Sequence, residues 1–99
     1  MIPTIIQKEH VLKAAKWIDE HGVPDARRPT KYLVIIDKKE YPPKFVISIA
    51  NFFASGRELS HERFNGGEET NSYLERLGYE TVEFSSRAQI RNKWRRHND

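Results

Sequence analysis

The sequence predicts a small single α+β domain, and three observations predict it. Tyr32 to Ile36 is an apolar run rich in β-branched side chains, which reads as a buried strand. Directly after a charged turn, Lys44 to Ser55 carries apolar residues at helical spacing. Ninety-nine residues hold one hydrophobic core with no room for a second. The expected order is helix, short β-hairpin, central buried helix, helical turn, helix, edge strand, and a basic C-terminal tail or helix. Residues 1–84 form the module and 85–99 the tail or linker.

In chain order, Thr4-Ile5-Ile6-Gln7 has the form of a capping box, so the first helix is expected from there to His21. Val11, Ala14, Ala15 and Ile18 share its apolar face, and Gly22 stops it. Pro29 keeps Arg27 to Thr30 extended ahead of the strand. Asp37-Lys38-Lys39-Glu40 turns the chain, because four consecutive charges do not stay in a core. Pro42-Pro43 then opens the central helix, where a missing N–H costs nothing. Its apolar residues, Phe45, Val46, Ile49, Phe52 and Phe53, are widened by Ile47 and Ala50 to cover most sides. With the charged runs placed outside, the apolar faces that remain predict that Val46, Ile49, Phe52 and Phe53 bury against Val34, Leu74 and Val82. Gly56 ends this helix. Ser60 caps a helical turn anchored by Leu59 and Phe64, and Asn65-Gly66-Gly67 leads into a third helix over Glu68–Leu77. Tyr79 to Phe84 alternates as a half-buried last strand.

Charge is unevenly placed. The total is +3, but residues 1–84 hold 12 basic against 13 acidic side chains, while 85–99 hold five basic residues against Asp99 alone. Segment 26–44 leans basic and segment 58–83 acidic, so one face could meet a polyanion. The alternative is a solvated surface with a basic tail. No 18-residue apolar run exists, so no membrane partner is expected, and no signal peptide is evident at the N-terminus. Cysteine is absent, which excludes disulfides and thiolate metal sites and fits a cytoplasmic protein. His10, His21, His61 and His97 lack metal-ligand spacing, and no phosphate-binding glycine loop or nucleophile elbow occurs, so neither metal nor cofactor is expected.

Candidate binding residues follow from these elements. Lys44 stands at the N-terminus of the central helix, where free N–H groups and the helix dipole favour an anion; the alternative is an ordinary solvated lysine. Thr70 and Asn71 fall in the first turn of the third helix, where an amide can read a base edge or simply cap the helix. Arg27, Arg28 and Lys31 flank the strand. In the tail, Arg91, Lys93, Arg95 and Arg96 supply further cations. Tyr41 reads first as packing against the central helix. Asp25, Asp37 and Lys39 sketch a metal-dependent nuclease core, but Asp37 to Lys39 reads as a turn and the chain is too short for the larger sheet.

The run Y-P-P-K-F-V-I-S-I-A, followed by L-S-H-E-R-F-N-G-G-E-E-T-N-S-Y-L-E-R-L-G-Y-E-T-V, resembles the N-terminal module ahead of HNH nuclease domains in McrA-like restriction endonucleases. The resemblance spans roughly 31–84 and rests on Tyr41, Pro43-Lys44, Phe64-Asn65-Gly66-Gly67, Thr70-Asn71 and Leu77-Gly78-Tyr79. Asn65 stands where serine is more usual, and Ile47 to Asn51 where glycine-containing versions are common. It implies an α+β module that recognises DNA, double-stranded and modified, in restriction-type phage defence in prokaryotes. Nothing in the chain resembles an HNH motif, so cutting is expected of a nuclease domain in cis or in trans, and the module itself is not expected to be an enzyme. The alternative from another class is a protein–protein adaptor docking through segment 58–83, and a small metal-dependent nuclease ranks below it.

Overall fold

The β-branched run becomes the middle of the sheet. In the computed structural model, which describes residues 1–83, strand β1 (Tyr32–Ile36) lies between β2 (Lys39–Tyr41) and β3 (Glu80–Glu83), antiparallel to both. Leu33 and Val34 are both inaccessible to solvent, as a continuous apolar run in a central strand requires. The β1–β2 connection is tighter than the charges suggested. Only Asp37 and Lys38 form the turn, both at positive φ (53° and 69°), the requirement of a type I′ hairpin. Lys39 and Glu40 instead pair with Ile36 and Ile35 as an edge strand.

Helix α1 (Lys8–His21) starts later than its sequence signature. His10 Nδ1 accepts from the Gln7 backbone N–H at 2.9 Å, so the cap is Gln7 and His10 rather than Thr4 and Gln7. The residues before it are held otherwise: Ile6 is buried, and the Tyr73 hydroxyl lies 2.8 Å from the Ile6 carbonyl and 3.1 Å from that of Pro3. A 3₁₀ turn (Asp25–Arg27) replaces part of the extended stretch expected before β1, and Arg28 then runs extended.

Helix α2 (Pro43–Ser55) is the central element, with every residue from Phe45 to Asn51 buried and its longest contact against α1. Gly56 closes it in the left-handed conformation. Phe52 departs from expectation: it is 45% exposed and meets Phe53 edge-on at 5.4 Å, while Phe53 is partly buried against the core. The apolar stripe is wider than the face that α1 and the sheet cover. A second 3₁₀ turn (His61–Arg63) is capped by Ser60, whose Oγ accepts from the Glu62 N–H at 3.3 Å, with Leu59 and Phe64 buried on either side. Helix α3 (Glu68–Arg76) buries Thr70, Tyr73 and Leu74. Val82 in β3 is half-buried, not fully enclosed. Tyr41 ties β2 to α1: its hydroxyl donates to Asp19 Oδ1 at 2.8 Å, and Lys39 Nζ reaches Asp19 Oδ2 at 3.3 Å. The expected tail, with Arg91, Lys93, Arg95 and Arg96, lies outside the described residues, as does Phe84.

Candidate functional site

Three stretches distant in sequence converge on one cleft of about 490 Å³: Arg27–Tyr32, Pro42–Lys44, and Gly66, Gly67 and Asn71. Arg27, Arg28, Lys31 and Lys44 line it together with Asn71, so five of the six candidate residues in the described body share one concavity. Thr70 does not join them. It is fully buried, and its hydroxyl donates to the Asn65 carbonyl at 2.6 Å, which fixes the turn into α3. A base-contacting role for Thr70 is thereby corrected to a local structural one.

Each cation is differently held. The Arg27 side chain is only 12% exposed. Its Nη2 donates to Ser48 Oγ at 2.7 Å, its Nη1 lies 3.4 Å from Glu58 Oε2, and its guanidinium sits 5.0 Å from the Phe45 ring centroid. Burial lowers its pKa, with Glu58 opposing. Arg27 therefore shapes the cleft wall and adds to its field more than it reaches outward. Lys44 Nζ donates to the His61 carbonyl at 2.7 Å and lies 4.8 Å from the Phe64 ring centroid. Desolvation and, next, the charge of Arg27 push its pKa below the usual lysine value, while Glu69 opposes them. Lys31 is 60% exposed and rests 3.9 Å from Glu83 Oε2, a surface pair of the kind that exchanges readily for another anion. Arg28 is half-buried and also borders a smaller cleft of about 240 Å³ with Asp19, Lys39 and Tyr41.

The glycine pair brings the α3 loop close to these cations. A β-carbon at Gly66 would stand 3.2 Å from Lys44 Cδ, so the lysine stem lies against bare backbone. Gly67 takes φ 65° and ψ −124°, a conformation essentially restricted to glycine, and its carbonyl accepts the first helical bond of α3 from the Asn71 N–H at 2.8 Å. The Asn71 amide oxygen is buried and has no hydrogen-bond partner among the described residues. A buried acceptor without a protein donor is costly unless water or a ligand supplies one.

The apolar part of the cleft was not anticipated. Pro29, Tyr32, Pro42 and Pro43 line it, and Tyr32, read as a core strand residue, is half-buried with its Cε2 edge 3.9 Å from where a Gly67 β-carbon would be. An aromatic beside a lysine at a strand end was the available signal. Asp37, part of the nuclease outline that the sequence argued against, sits at the hairpin tip, Asp25 opens the 3₁₀ turn, and no cluster able to hold a metal ion occurs among the described residues. No helix among them is long and apolar enough to cross a membrane.

The fold and cleft thus define a small α+β module in which a short antiparallel sheet and three helices present a cationic concavity at the starts of β1, α2 and α3 and the segments that lead into them. Residues 4–83 match the ScoMcrA-like N-terminal head domain, and the chain belongs to that family, which makes it a restriction-type module. No curated protein and no solved structure matches the chain.

Proposed function

We propose that the module binds duplex DNA as the recognition part of a restriction-type system, reading modified targets while a nuclease domain in cis or in trans does the cutting. The observation that carries this is the convergence of Arg27, Arg28, Lys31, Lys44 and Asn71 on one cleft. Cations there hold phosphates, which fix register without reading sequence, and the Asn71 amide contacts base edges. Membership of the head-domain family supports DNA as the target. Arg91, Lys93, Arg95 and Arg96 add a sequence-independent electrostatic contribution.

The test is a binding series on unmodified, methylated and hydroxymethylated duplexes at low and high salt, against a charge-matched control protein. Lys44→Ala should weaken all duplexes alike and reduce the salt slope by about one. Asn71→Ala should narrow the gap between good and poor targets by roughly 1–3 kcal/mol. Deleting residues 86–99 should flatten the salt slope further while leaving that gap unchanged. Binding no stronger than the control for any duplex rejects the reading.

A further inference from the structure

The cleft is a hollow, and its volume of about 490 Å³ falls within the roughly 300–1,000 Å³ of sites that enclose a small molecule. Its composition is divided as a nucleotide is. Tyr32 and Pro29, both half-buried, offer aromatic and apolar surface for the flat faces of a base, with Pro42 and Pro43 buried behind them, and the cations supply the phosphate side. Asn71 contributes a buried amide oxygen lacking a donor.

We infer that the cleft receives one nucleotide taken out of its stack, with the base against Tyr32 and Pro29, its exocyclic amino group on the Asn71 amide oxygen, and its phosphate near Lys44. This rests on the DNA-binding reading and goes beyond it, because it specifies an unstacked nucleotide as the ligand. Desolvation and the charge of Arg27 both disfavour the Lys44 ammonium, and an anion beside Lys44 offsets them by Coulomb attraction. The amino group at C6 of adenine or C4 of cytosine satisfies the orphaned acceptor, whereas thymine carries a carbonyl at the corresponding position.

The experiment compares one fully paired duplex with versions carrying a single-nucleotide bulge of dC, dA or dT, and with an abasic bulge. The abasic bulge bends as easily but has no base to insert. Unstacking is already done in a bulge, so dC and dA bulges should bind about tenfold or more tighter than both the paired and the abasic duplexes. The dT bulge should gain less, and Asn71→Ala should remove that difference. Tyr32→Leu, which keeps bulk but not the aromatic face, should reduce the gain for every base. Equal binding of dC, dA and abasic bulges overturns the inference and leaves duplex recognition standing, and this comparison needs no variant. A gain that ignores base identity overturns the Asn71 assignment. Failure of every duplex to bind above the control overturns both readings.

Discussion

The guanidinium of Arg27 donates to the hydroxyl of Ser48 at 2.7 Å, joining the segment before the sheet to a fully buried position of α2. Together with Glu58 and the Phe45 face, this makes Arg27 a brace for one wall of the cleft. Arg27→Ala removes a charge-assisted hydrogen bond and a cation–π contact and should cost about 2–3 kcal/mol. Denaturant unfolding should show it as a lower midpoint at unchanged slope. An Arg27→Ala variant that keeps full stability yet loses DNA affinity would assign this side chain wholly to the ligand.

The backbone of Gly67 makes a separate prediction. Any β-carbon must be forced into φ 65°, ψ −124°, so Gly67→Ala should cost about 1–3 kcal/mol. Gly66 has no such restriction, and a methyl there meets only the flexible stem of Lys44. Gly66→Ala should leave the melting temperature nearly unchanged while altering DNA affinity through Lys44. Equal destabilisation by both substitutions would contradict this division.

At the other end of the sheet, Lys38 holds φ 69° with a full side chain. Lys38→Gly would give the Asp-Gly pair that type I′ turns favour, and should stabilise the domain by about 1 kcal/mol. For a domain of this size that is a rise of roughly 4–8 °C in Tm. The turn lies outside the cleft lining, so DNA binding should not follow the change.

Alkaline pH tests the Tyr41–Asp19 link. Burial, the hydrogen bond to Asp19, and the charges of Asp19 and Asp37 raise the Tyr41 pKa well above its ordinary 10.0. The folded state therefore holds this proton more tightly than the unfolded chain. Its contribution is complete below pH 10.0 and declines as pH climbs from there towards the raised folded value. Tyr41→Phe should be less stable at neutral pH by about 1 kcal/mol for the lost hydrogen bond, and its stability should fall less steeply under alkali. Tyr73 and Tyr79 are also raised by burial and should preserve some of that fall. The depressed pKa of Lys44 acts with opposite sign, since its burial cost fades as the ammonium deprotonates.

The architecture was legible because its signals are local. β-branching marks β1, the paired prolines and Gly56 bracket α2, and Ser60 caps its turn. Errors arose where a distant partner decides. Thr4 to Gln7 satisfies a capping pattern, but Tyr73 of α3 claims the carbonyls of Pro3 and Ile6, and the helix begins after them. Phe52 has the same chemistry as its buried neighbours and stays exposed because no element among the described residues extends over its side of α2. The candidate cations were visible as a basic segment; their division into a buried brace, a desolvated lysine and an exposed ion pair was not, since Ser48, His61 and Glu83 are remote in sequence. Thr70 and Asn71 are adjacent, yet one turns inward and the other lines the cleft, a distinction set by where α3 meets the core.

The walls of the cleft come from three stretches that share no local structure, so no fragment of the chain possesses it. Occupancy and global folding are therefore thermodynamically linked: a ligand spanning the walls acts as a temporary crosslink and withdraws molecules from the unfolded population. At one hundred times its dissociation constant, a ligand recognised only by the folded form adds about 2.7 kcal/mol to unfolding. The melting curve of the domain is thus itself a detector, able to rank oligonucleotides, mononucleotides or simple anions without a label on either component.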